Sequence, residues 1–444
     1  MRKHVAALGA VGAVFAVSAG GAYAQTGEVA SDTSLLISTM FVLISGFLVM
    51  WMSAGFTMLE AGMVRSRNVA MQLAKNIGLF SVAGLSFFVI GFALQNPDGL
   101  WAVEGLLSGR APGHSGVEAF GTAQVDEGAQ ISGGANFFFQ LMFCAATASI
   151  VSGAVAERVR LWPFMIFVAL MTGIIYPVQA AWTWGGGFLA DLGFVDHAGS
   201  VVVHTVGGWA ALAGVIILGP RVGKFSGGRV NPMPGSSLPL STLGVFILWL
   251  GWFGFNGGSA FAAGTIPDMI SVGRVIVNTN AAAGGGALAA MLLTQAIFRK
   301  VDLTMVMNGA LAGLVSITAE PTAPGIASAT LIGAVGGAIV VFVVPLLDRL
   351  RIDDVVGAIP VHLGAGLWGG LIAGITNPEG SIVAQFVGIG VIGLFVFSLS
   401  IAVWFVLRAA IGLRFPPEVE IEGLDINELG MEAYPEFVAY SEGN

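Results

Sequence analysis

Charged side chains are scarce in this chain, which has 18 Lys and Arg and 26 Asp and Glu among its 444 residues. Only 10% of the residues are charged, against about 25% in soluble globular proteins. Too few charges remain to cover a water-facing surface or to neutralise phosphates. The composition therefore excludes an ordinary soluble enzyme, a disordered chain and a nucleic-acid-binding protein. The single cysteine, Cys144, excludes an internal disulfide.

Apolar residues and glycine dominate instead. The chain is 56% hydrophobic, its mean hydropathy is +0.86, and 65 residues are glycine. Glycine is about twice as frequent as usual, as expected where helices must approach closely within lipid. The composition predicts an all-α polytopic membrane protein.

Apolar stretches long enough to cross about 30 Å of hydrocarbon recur along the chain. They cover residues 33–63, 69–95, 132–156, 161–182, 199–219, 237–260, 272–297, 303–318, 327–347, 358–375 and 382–410. With the N-terminus outside, these eleven spans place the Lys and Arg residues at cytoplasmic ends, with Arg110 and Arg274 as exceptions. The sequence predicts eleven transmembrane helices and a cytoplasmic C-terminus.

The first residues are typical of a secretory signal peptide. Arg2 and Lys3 precede an apolar run that ends in the small-residue pattern AYA at 22–24, so we expect cleavage after Ala24. An uncleaved extra helix is the alternative. The predicted organisation is a signal peptide over 1–24, an eleven-helix domain over 25–413 and a cytoplasmic tail over 414–444.

Two histidines lie inside apolar spans. An odd number of spans permits two inverted halves of five spans plus one further span, and His204 and His362 lie near the start of the last span of each half. An ionisable group at membrane depth usually faces a pathway or a partner rather than lipid. We predict that the two rings meet near the midplane, share one N–H···N bond and line a pore.

Other roles remain open for these histidines. Each could be a neutral side chain bonded to a backbone carbonyl, or the pair could hold a metal or haem. No Cys, Glu or Asp stands at ligand spacing beside either histidine, so neither a metal nor a cofactor is predicted.

Aromatic residues gather at the predicted external ends of several spans. They are Phe139, Phe143, Trp184, Trp252 and Phe255, and Ser259 follows them. Ring faces attract cations and a hydroxyl accepts a hydrogen bond, so together these side chains suit a small cation held above a phenyl barrier. Asp196, eight residues before His204, is either a helix cap or a charge that draws cations to the mouth.

Six stretches carry a family resemblance. They are GFTMLEAGMVR at 55–65, AERVR at 156–160, WGGG at 184–187, VVH at 202–204, GWFGFN at 251–256 and RIDD at 351–354. In this order they resemble the ammonium transporters of the Amt/Mep/Rh family, and the bacterial Amt branch in particular. The resemblance runs from about residue 34 to residue 442. It implies a homotrimer in a bacterial inner membrane, with one pore in each subunit and ammonium or ammonia as the substrate.

The resemblance also implies roles for single residues by motif position. The external recruitment site would comprise Trp184, Phe143, Ser259 and Asp196. The stacked phenyl gate would comprise Phe139 and Phe255, and the pore lining His204, His362 and Trp252. Ammonium is close to potassium in size, so such a pore can discriminate if the ion must lose a proton before it enters an apolar tube.

The chain departs from the family pattern before its second pore histidine. An acid usually stands five residues earlier, where this chain has Gly357, so we expect the cytoplasmic loop to lack one anchoring carboxylate. Pro360 stands where glycine is more usual, and it could shift the His362 ring.

The tail is acidic and on composition alone reads as a solvated segment. However, the stretch EGLDINELGMEAY at 422–434 resembles the family's C-terminal regulatory segment and includes Gly423, Asp425, Gly430 and Tyr434. The resemblance implies that this segment packs on the cytoplasmic face, where a trimeric PII-type signal protein is a candidate partner.

The leading hypothesis is an ammonium transporter or channel, not an enzyme. It recruits ammonium at the external aromatic site, deprotonates it at the phenyl gate and conducts ammonia past the histidines, with or without a separately relayed proton. An ammonium sensor that signals through its tail with little flux is the alternative. A membrane enzyme or metalloprotein is disfavoured, because the sequence shows no nucleophile–base pair and no complete set of metal ligands at membrane depth. A water or carbon dioxide channel is disfavoured because the predicted mouth recruits cations.

Overall fold

The computed structural model describes residues 32–111, 125–126 and 131–435. The predicted signal peptide and residues 436–444 of the tail lie outside the described residues. The predicted all-α class is confirmed, since the described chain is helical almost throughout. Within it, ten helices are long and apolar enough to cross a membrane, and an eleventh apolar helix is shorter.

Each apolar stretch identified in the sequence overlaps one of these helices. They are α1 Asp32–Met63, α2 Ser66–Gln95, α3 Gly133–Ala154, α4 Leu161–Asp191, α5 Ser200–Leu218, α6 Leu238–Gly258, α7 Ile266–Phe298, the shorter α8 Leu303–Ile317, α9 Ile326–Arg349, α10 Ile359–Thr376 and α11 Ile382–Ala410. A short helix, α12 Pro417–Glu422, follows in the tail. Between α2 and α3 lie two antiparallel strand pairs, β1 Trp101–Val103 with β2 Leu107–Ser108 and β3 Val125–Asp126 with β4 Ile131–Ser132.

Helix α7 begins before its predicted start at residue 272. Thr265 Oγ1 accepts a hydrogen bond from the Asp268 backbone N–H (3.4 Å), and Asp268 Oδ2 accepts one from the Thr265 N–H (2.9 Å). This reciprocal capping box fixes the first turn of the helix. Hydropathy misses it because the turn is built from polar residues.

Glycines allow close helix approach at two crossings. Between α1 and α6, a Cβ added to Gly244 would lie 2.4 Å from the backbone N of Leu59, and one on Gly62 would lie 2.2 Å from Ser241 Oγ. Between α7 and α8, a Cβ on Gly286 would lie 2.2 Å from the carbonyl oxygen of Gly309. Larger residues would force these helices apart, which explains much of the glycine content.

Large apolar side chains cover the outside of the helix bundle. Leu292 on α7, Leu331 on α9 and Leu394 on α11 are 68%, 67% and 72% exposed. Such wide apolar exposure needs an apolar surrounding, either lipid or a second protein surface.

Charged linkers that the sequence assigns to one side meet at one end of the bundle. Arg221, after α5, pairs with Asp353, after α9, at 2.8 Å, and Arg65, after α1, pairs with Glu157, after α3, at 2.5 Å. Burial alone would raise the pKa of Asp353, but hydrogen bonding to Arg221 and nearby guanidinium charges hold it well below its usual range. We call this end the tail-side end, because the tail packs here too, and the opposite end the mouth. Which end faces the cytoplasm stays a prediction.

Candidate functional site

Helices α5 and α10 begin with the same local structure. Each opens with a wide π-helical turn, Ser200–Thr205 in α5 and Ile359–Gly364 in α10. Each turn carries one of the two histidines that the sequence singles out. Such turns are rare and are frequent at functional sites, because the wider spiral redirects a side chain out of the regular helical row.

The structure brings these two histidines together. His204 Nδ1 and His362 Nδ1 are 3.2 Å apart, which is hydrogen-bond distance, and both residues are buried. One ring nitrogen must donate and the other accept, so the pair shares a single proton. His204 Nε2 has no hydrogen-bond partner among the described residues. Nor does any group of three or more His, Cys, Asp and Glu within the described ranges have the placement to hold a metal ion.

A buried aspartate caps each of the two turns. Asp196 accepts hydrogen bonds from the backbone N–H groups of Gly199 (3.1 Å), Val201 (2.9 Å) and Val202 (2.8 Å). Of the two readings of Asp196, the geometry therefore supports the cap directly. Burial raises its pKa to about 6, although these backbone N–H groups oppose the rise, so it is mostly ionised at pH 7.

Asp354 does the same for α10, and the sequence reasoning missed it. Its carboxylate accepts hydrogen bonds from the backbone N–H groups of Gly357 (3.1 Å) and Ile359 (2.7 Å). Asp354, eight residues before His362, thus anchors this loop, while the position five residues before His362 is Gly357 and carries no acid. Burial raises the pKa of Asp354 as well.

A common sequence pattern underlies the two caps. Residues 196–204 (DHAGSVVVH) and 354–362 (DVVGAIPVH) share the spacing Asp-x-x-Gly-x-x-x-x-His. Both glycines have left-handed backbone, with φ of +97° at Gly199 and +81° at Gly357, a conformation that glycine adopts without strain. Aligning the two halves of the sequence would have found this pattern.

Pro360 occupies the position in α10 that matches Val202 in α5. Val202 donates its N–H to the capping aspartate, whereas proline has no N–H to donate. Asp354 consequently receives two of these hydrogen bonds where Asp196 receives three. The His362 ring nevertheless lies within hydrogen-bond distance of His204.

A column of aromatic rings leads from the mouth to the histidines. The rings of Phe143 and Phe255 stack with centroids 4.0 Å apart and planes 22° apart. The centroid of the His204 ring lies 5.4 Å from that of Phe255 and 4.9 Å from that of Trp252. Since the two phenyl rings are in van der Waals contact, no molecule fits between them unless a ring moves.

The ring stacked on Phe255 is Phe143, not Phe139, which the sequence paired with it. Phe139 contacts Phe143 with centroids 4.7 Å apart and packs edge-on against Phe261 at 5.4 Å. Both residues lie on the face of α3 that points to the column. Phe143 thus contacts both Trp184 and Phe255.

Trp184 and Ser259 lie at the mouth end of this column. Trp184 is partly exposed, meets Phe143 edge to face at 6.1 Å and donates its indole N–H to the carbonyl oxygen of Asp196 (3.0 Å). Ser259 donates its hydroxyl proton to the carbonyl oxygen of Phe255 (2.8 Å). The Ser259 hydroxyl oxygen therefore keeps lone pairs for a bound donor, and the indole face of Trp184 is suited to a cation.

A hydrogen bond locks the ring of Trp252. Its indole N–H donates to Thr318 Oγ1 (2.8 Å), which in turn donates to the carbonyl oxygen of Leu314 (2.7 Å). The indole face that stacks on His204 therefore has a fixed orientation.

Comparison with known proteins assigns the chain to a family. A family model described as Ammonium Transporter Family matches residues 40–434. This chain belongs to that family. It is a multi-pass membrane protein of a transporter family, as its ten long apolar helices also indicate.

Individual members of the Ammonium Transporter Family match along most of their length. A Synechocystis protein with a provisional ammonium-transporter name is 41% identical over 431 residues, which cover 95% of each chain. Ammonium transporter Amt2 of Archaeoglobus fulgidus is 38% identical, over 92% of this chain and 90% of that protein. A solved structure named Sensor Amt Protein superposes with a TM-score of 0.82 at 31% identity, over 89% of this chain and 99% of that chain.

The tail of this family member packs on the tail-side end of the bundle. Asp425 accepts hydrogen bonds from the backbone N–H groups of Ala70 (2.9 Å) and Met71 (2.7 Å), and so caps the first α-helical turn of α2. A Cβ added to Gly423, whose φ is +122°, would lie 2.6 Å from the Cβ of Arg67. The segment is therefore a docked element in this structure.

The other two tail residues that the sequence singles out have separate positions. Gly430 has a φ of +69° and ends the short π-helical turn Asp425–Leu429. Tyr434 is partly buried and packs against the edge of the helical core. Of the four predicted tail residues, Gly423 and Asp425 thus make the close contacts with the membrane-spanning helices.

Proposed function

We propose that this protein conducts ammonium nitrogen across a membrane through the ring column of each subunit. The observation that carries the proposal is the continuous series from Trp184 through the Phe143–Phe255 stack to the histidine pair, within a chain of the Ammonium Transporter Family. Each step along this series offers the chemistry that ammonium needs next.

Recruitment takes place at the mouth. An ammonium ion binds against the indole face of Trp184 through its charge and donates a hydrogen bond to Ser259 Oγ. Asp196 fixes the position of the Trp184 ring, because its carbonyl oxygen accepts the indole N–H and its carboxylate anchors the first turn of α5. Its negative charge also favours a cation at the mouth.

The phenyl stack of Phe143 and Phe255 provides the selectivity. A ring must swing away before anything passes, and the space beyond is apolar, so an ion that keeps its charge meets a large desolvation barrier. Ammonium can lose a proton at this point and continue as neutral ammonia, whereas potassium cannot. Selectivity between ions of similar size thus becomes acid–base chemistry.

The histidine pair guides ammonia through the apolar section. His204 Nε2 is free to form a hydrogen bond with a passing molecule, and the shared Nδ1 proton fixes the ring tautomers. The same pair offers a route for the released proton, because a proton can enter at one ring and leave from the other. Stacking against Trp252 and Phe255 fixes the orientation of the His204 ring.

The wider assembly is part of the proposal. The tail-side end, with its arginines, faces the cytoplasm of a bacterial cell, and the wide apolar surfaces support a homotrimer in the inner membrane. A PII-type signal protein binds at the docked tail of each subunit.

The test is an ammonium jump applied to proteoliposomes that contain the purified protein. We expect a current with ammonium and none with an equal jump of potassium. Internal alkalinisation without current would mean that ammonia crosses alone. If neither signal exceeds that of protein-free liposomes, the transport proposal is wrong.

A sensor is the second candidate function. It is supported by the likeness to the structure named Sensor Amt Protein and by a tail that is docked through Asp425 against α2. A sensor would bind ammonium at the mouth and move its tail with little flux. Ammonium-dependent protease cleavage of the tail, together with the absence of current and alkalinisation, would favour this function over transport.

A further inference from the structure

A small cavity adjoins His362 on the tail side of the histidine pair. It measures about 10 Å³, room for one molecule the size of water, and lies where α1, α3, α8 and the start of α10 meet. Its walls include the apolar side chains of Phe56, Ile150 and Leu311. Of the described residues that line it, only His362 and Glu60 carry ionisable side chains.

Glu60 is a buried carboxylate with one oxygen unused. Glu60 Oε2 accepts hydrogen bonds from Gln72 Nε2, Asn76 Nδ2 (2.8 Å) and Ser152 Oγ (2.8 Å). Glu60 Oε1 has no hydrogen-bond partner among the described residues, although the residue is only 1% exposed. Leaving a buried carboxylate oxygen unpaired is unfavourable, so this oxygen is suited to a ligand.

A lysine balances the carboxylate without occupying the free oxygen. Lys75 is buried and donates to the carbonyl oxygen of Ser152 (2.8 Å), while Ser152 Oγ donates to Glu60. The positive charge of Lys75 thus lies on the Oε2 side of Glu60, with Ser152 between the two side chains. It reduces the electrostatic penalty of burying Glu60 and leaves Oε1 available.

We propose that Glu60 forms a second substrate site, in which Oε1 accepts a hydrogen bond from ammonia or ammonium that has passed His362. The proposal rests on the proposed transport function and adds a binding site at the opposite end of the pore from Trp184. The cavity has the size of one such molecule. A carboxylate binds ammonium more tightly than ammonia, so at this site ammonia takes up the proton that was released at the phenyl stack and relayed through the histidine pair, and it is bound as ammonium before release.

The site predicts a sided effect on affinity. Ammonium that arrives from the tail side meets Glu60 before the histidines, whereas ammonium from the mouth meets Trp184 first. Removing the charge of Glu60 should therefore raise the half-saturating ammonium concentration only when ammonium is added from the tail side. The loss of one charge-assisted hydrogen bond corresponds to roughly a tenfold change in half-saturating concentration.

The experiment compares ammonium currents in right-side-out and inside-out membrane vesicles that contain the full chain or Glu60→Gln. Glutamine keeps an acceptor for the donors around Oε2 and removes the charge. We expect the half-saturating ammonium concentration to rise roughly tenfold when ammonium is added to the tail-side face, and less than about twofold at the mouth.

Two further variants separate binding from folding. Glu60→Gln combined with Lys75→Met removes both buried charges, so it tests the site even if the single variant misfolds with an uncompensated lysine. Ser152→Ala removes one hydrogen bond from Oε2 and leaves the free oxygen untouched. We expect the sided change in the double variant and no sided change in Ser152→Ala.

The outcomes distinguish the possible failures. An equal rise in the half-saturating ammonium concentration at both faces would make Glu60 a purely structural residue. An unchanged half-saturating concentration at both faces would mean that the cavity holds water only. Either result would overturn the second site while leaving transport intact. A wild-type protein that gives neither current nor alkalinisation from either face would overturn both proposals.

Discussion

The two halves of the pore share one framework but differ in their surroundings. In each half an aspartate, a left-handed glycine and a π-helical turn hold a histidine at the same spacing, as Asp196 and Asp354 illustrate. On the mouth side the framework adjoins a partly exposed tryptophan and stacked phenyl rings. On the tail side it adjoins a one-molecule cavity and a buried carboxylate, Glu60.

The difference separates positioning from selection. The repeated framework explains why two imidazoles from helices far apart in sequence come within 3.2 Å of each other. It contains nothing that distinguishes ammonium from another small solute. In the proposed function, discrimination comes from side chains that are not repeated, namely the aromatic rings on one side and Glu60 on the other.

The strongest test of the shared framework is to remove both imidazoles. We expect His204→Ala combined with His362→Ala to lower selective ammonium conduction roughly 100-fold, because ammonia then loses its hydrogen-bonding guide in an apolar passage. Ammonium currents in proteoliposomes measure the effect. The oligomeric state in detergent serves as the control for folding.

The single variants sharpen the same comparison. His204 stacks on both Trp252 and Phe255, whereas among the described residues the further ring contact of His362 is a distant one with Phe56 at 6.2 Å. We therefore expect His204→Ala to reduce conduction more than His362→Ala does. Undiminished selective flux in the double variant would exclude the histidines from the mechanism.

Removing the caps should destabilise the mouth half more than the tail half. Asp196→Ala leaves three buried N–H groups without their acceptor and Asp354→Ala leaves two, because Pro360 has no N–H. We expect losses in the free energy of unfolding of about 3 and about 2 kcal/mol respectively. Thermal unfolding in detergent ranks the two variants, and a larger loss for Asp354→Ala would contradict the hydrogen-bond count.

Most of the helical fold could be predicted from hydropathy, because spanning helices must be long and apolar whatever their neighbours are. The start of α7 could not be predicted in this way, since Thr265 and Asp268 fix it through polar capping. The π-helical first turns of α5 and α10 could not be predicted from hydropathy either. They depend on aspartates that lie outside the apolar stretches.

The ring positions mark the limit of sequence reasoning at the site. Phe139 and Phe143 are one turn apart on α3 and so face nearly the same direction. Which of them stacks on Phe255 depends on how far α3 is shifted along α6, and spacing within one helix carries no information about that shift. The partner of Phe255 therefore had to come from the structure.

Substituting the two phenylalanines tests this assignment within the mouth half. Phe143→Leu removes the stacked partner of Phe255, so we expect the ratio of ammonium to potassium current to fall roughly tenfold as the desolvation barrier weakens. Phe139→Leu is the matched control and should change the ratio less than about twofold. A larger fall in this ratio for Phe139→Leu than for Phe143→Leu would support the pairing of Phe139 with Phe255 instead.

Recruitment residues should alter affinity rather than maximal rate. Ser259→Ala combined with Trp184→Leu removes one acceptor and one ring face, and we expect the half-saturating ammonium concentration to rise roughly fivefold to tenfold. Trp182→Phe is the control, because the Trp182 indole N–H bonds the Leu106 carbonyl oxygen away from the column. An unchanged concentration dependence in the double variant would contradict the recruitment site.

The smallest expected effect is a dependence of stability on pH that the mouth cap causes. Burial raises the pKa of Asp196 to about 6, from about 4 in an unfolded chain, so its stabilising contribution is complete below pH 4 and is lost as pH rises through 6. Between pH 5 and pH 7 this amounts to about 1 kcal/mol. Asp196→Asn should therefore show a smaller fall in melting temperature over that interval than the wild type does. The exposed Asp191, substituted in the same way, should leave the wild-type fall unchanged, and an Asp196→Asn profile parallel to the wild type would mean that the cap does not titrate in this range.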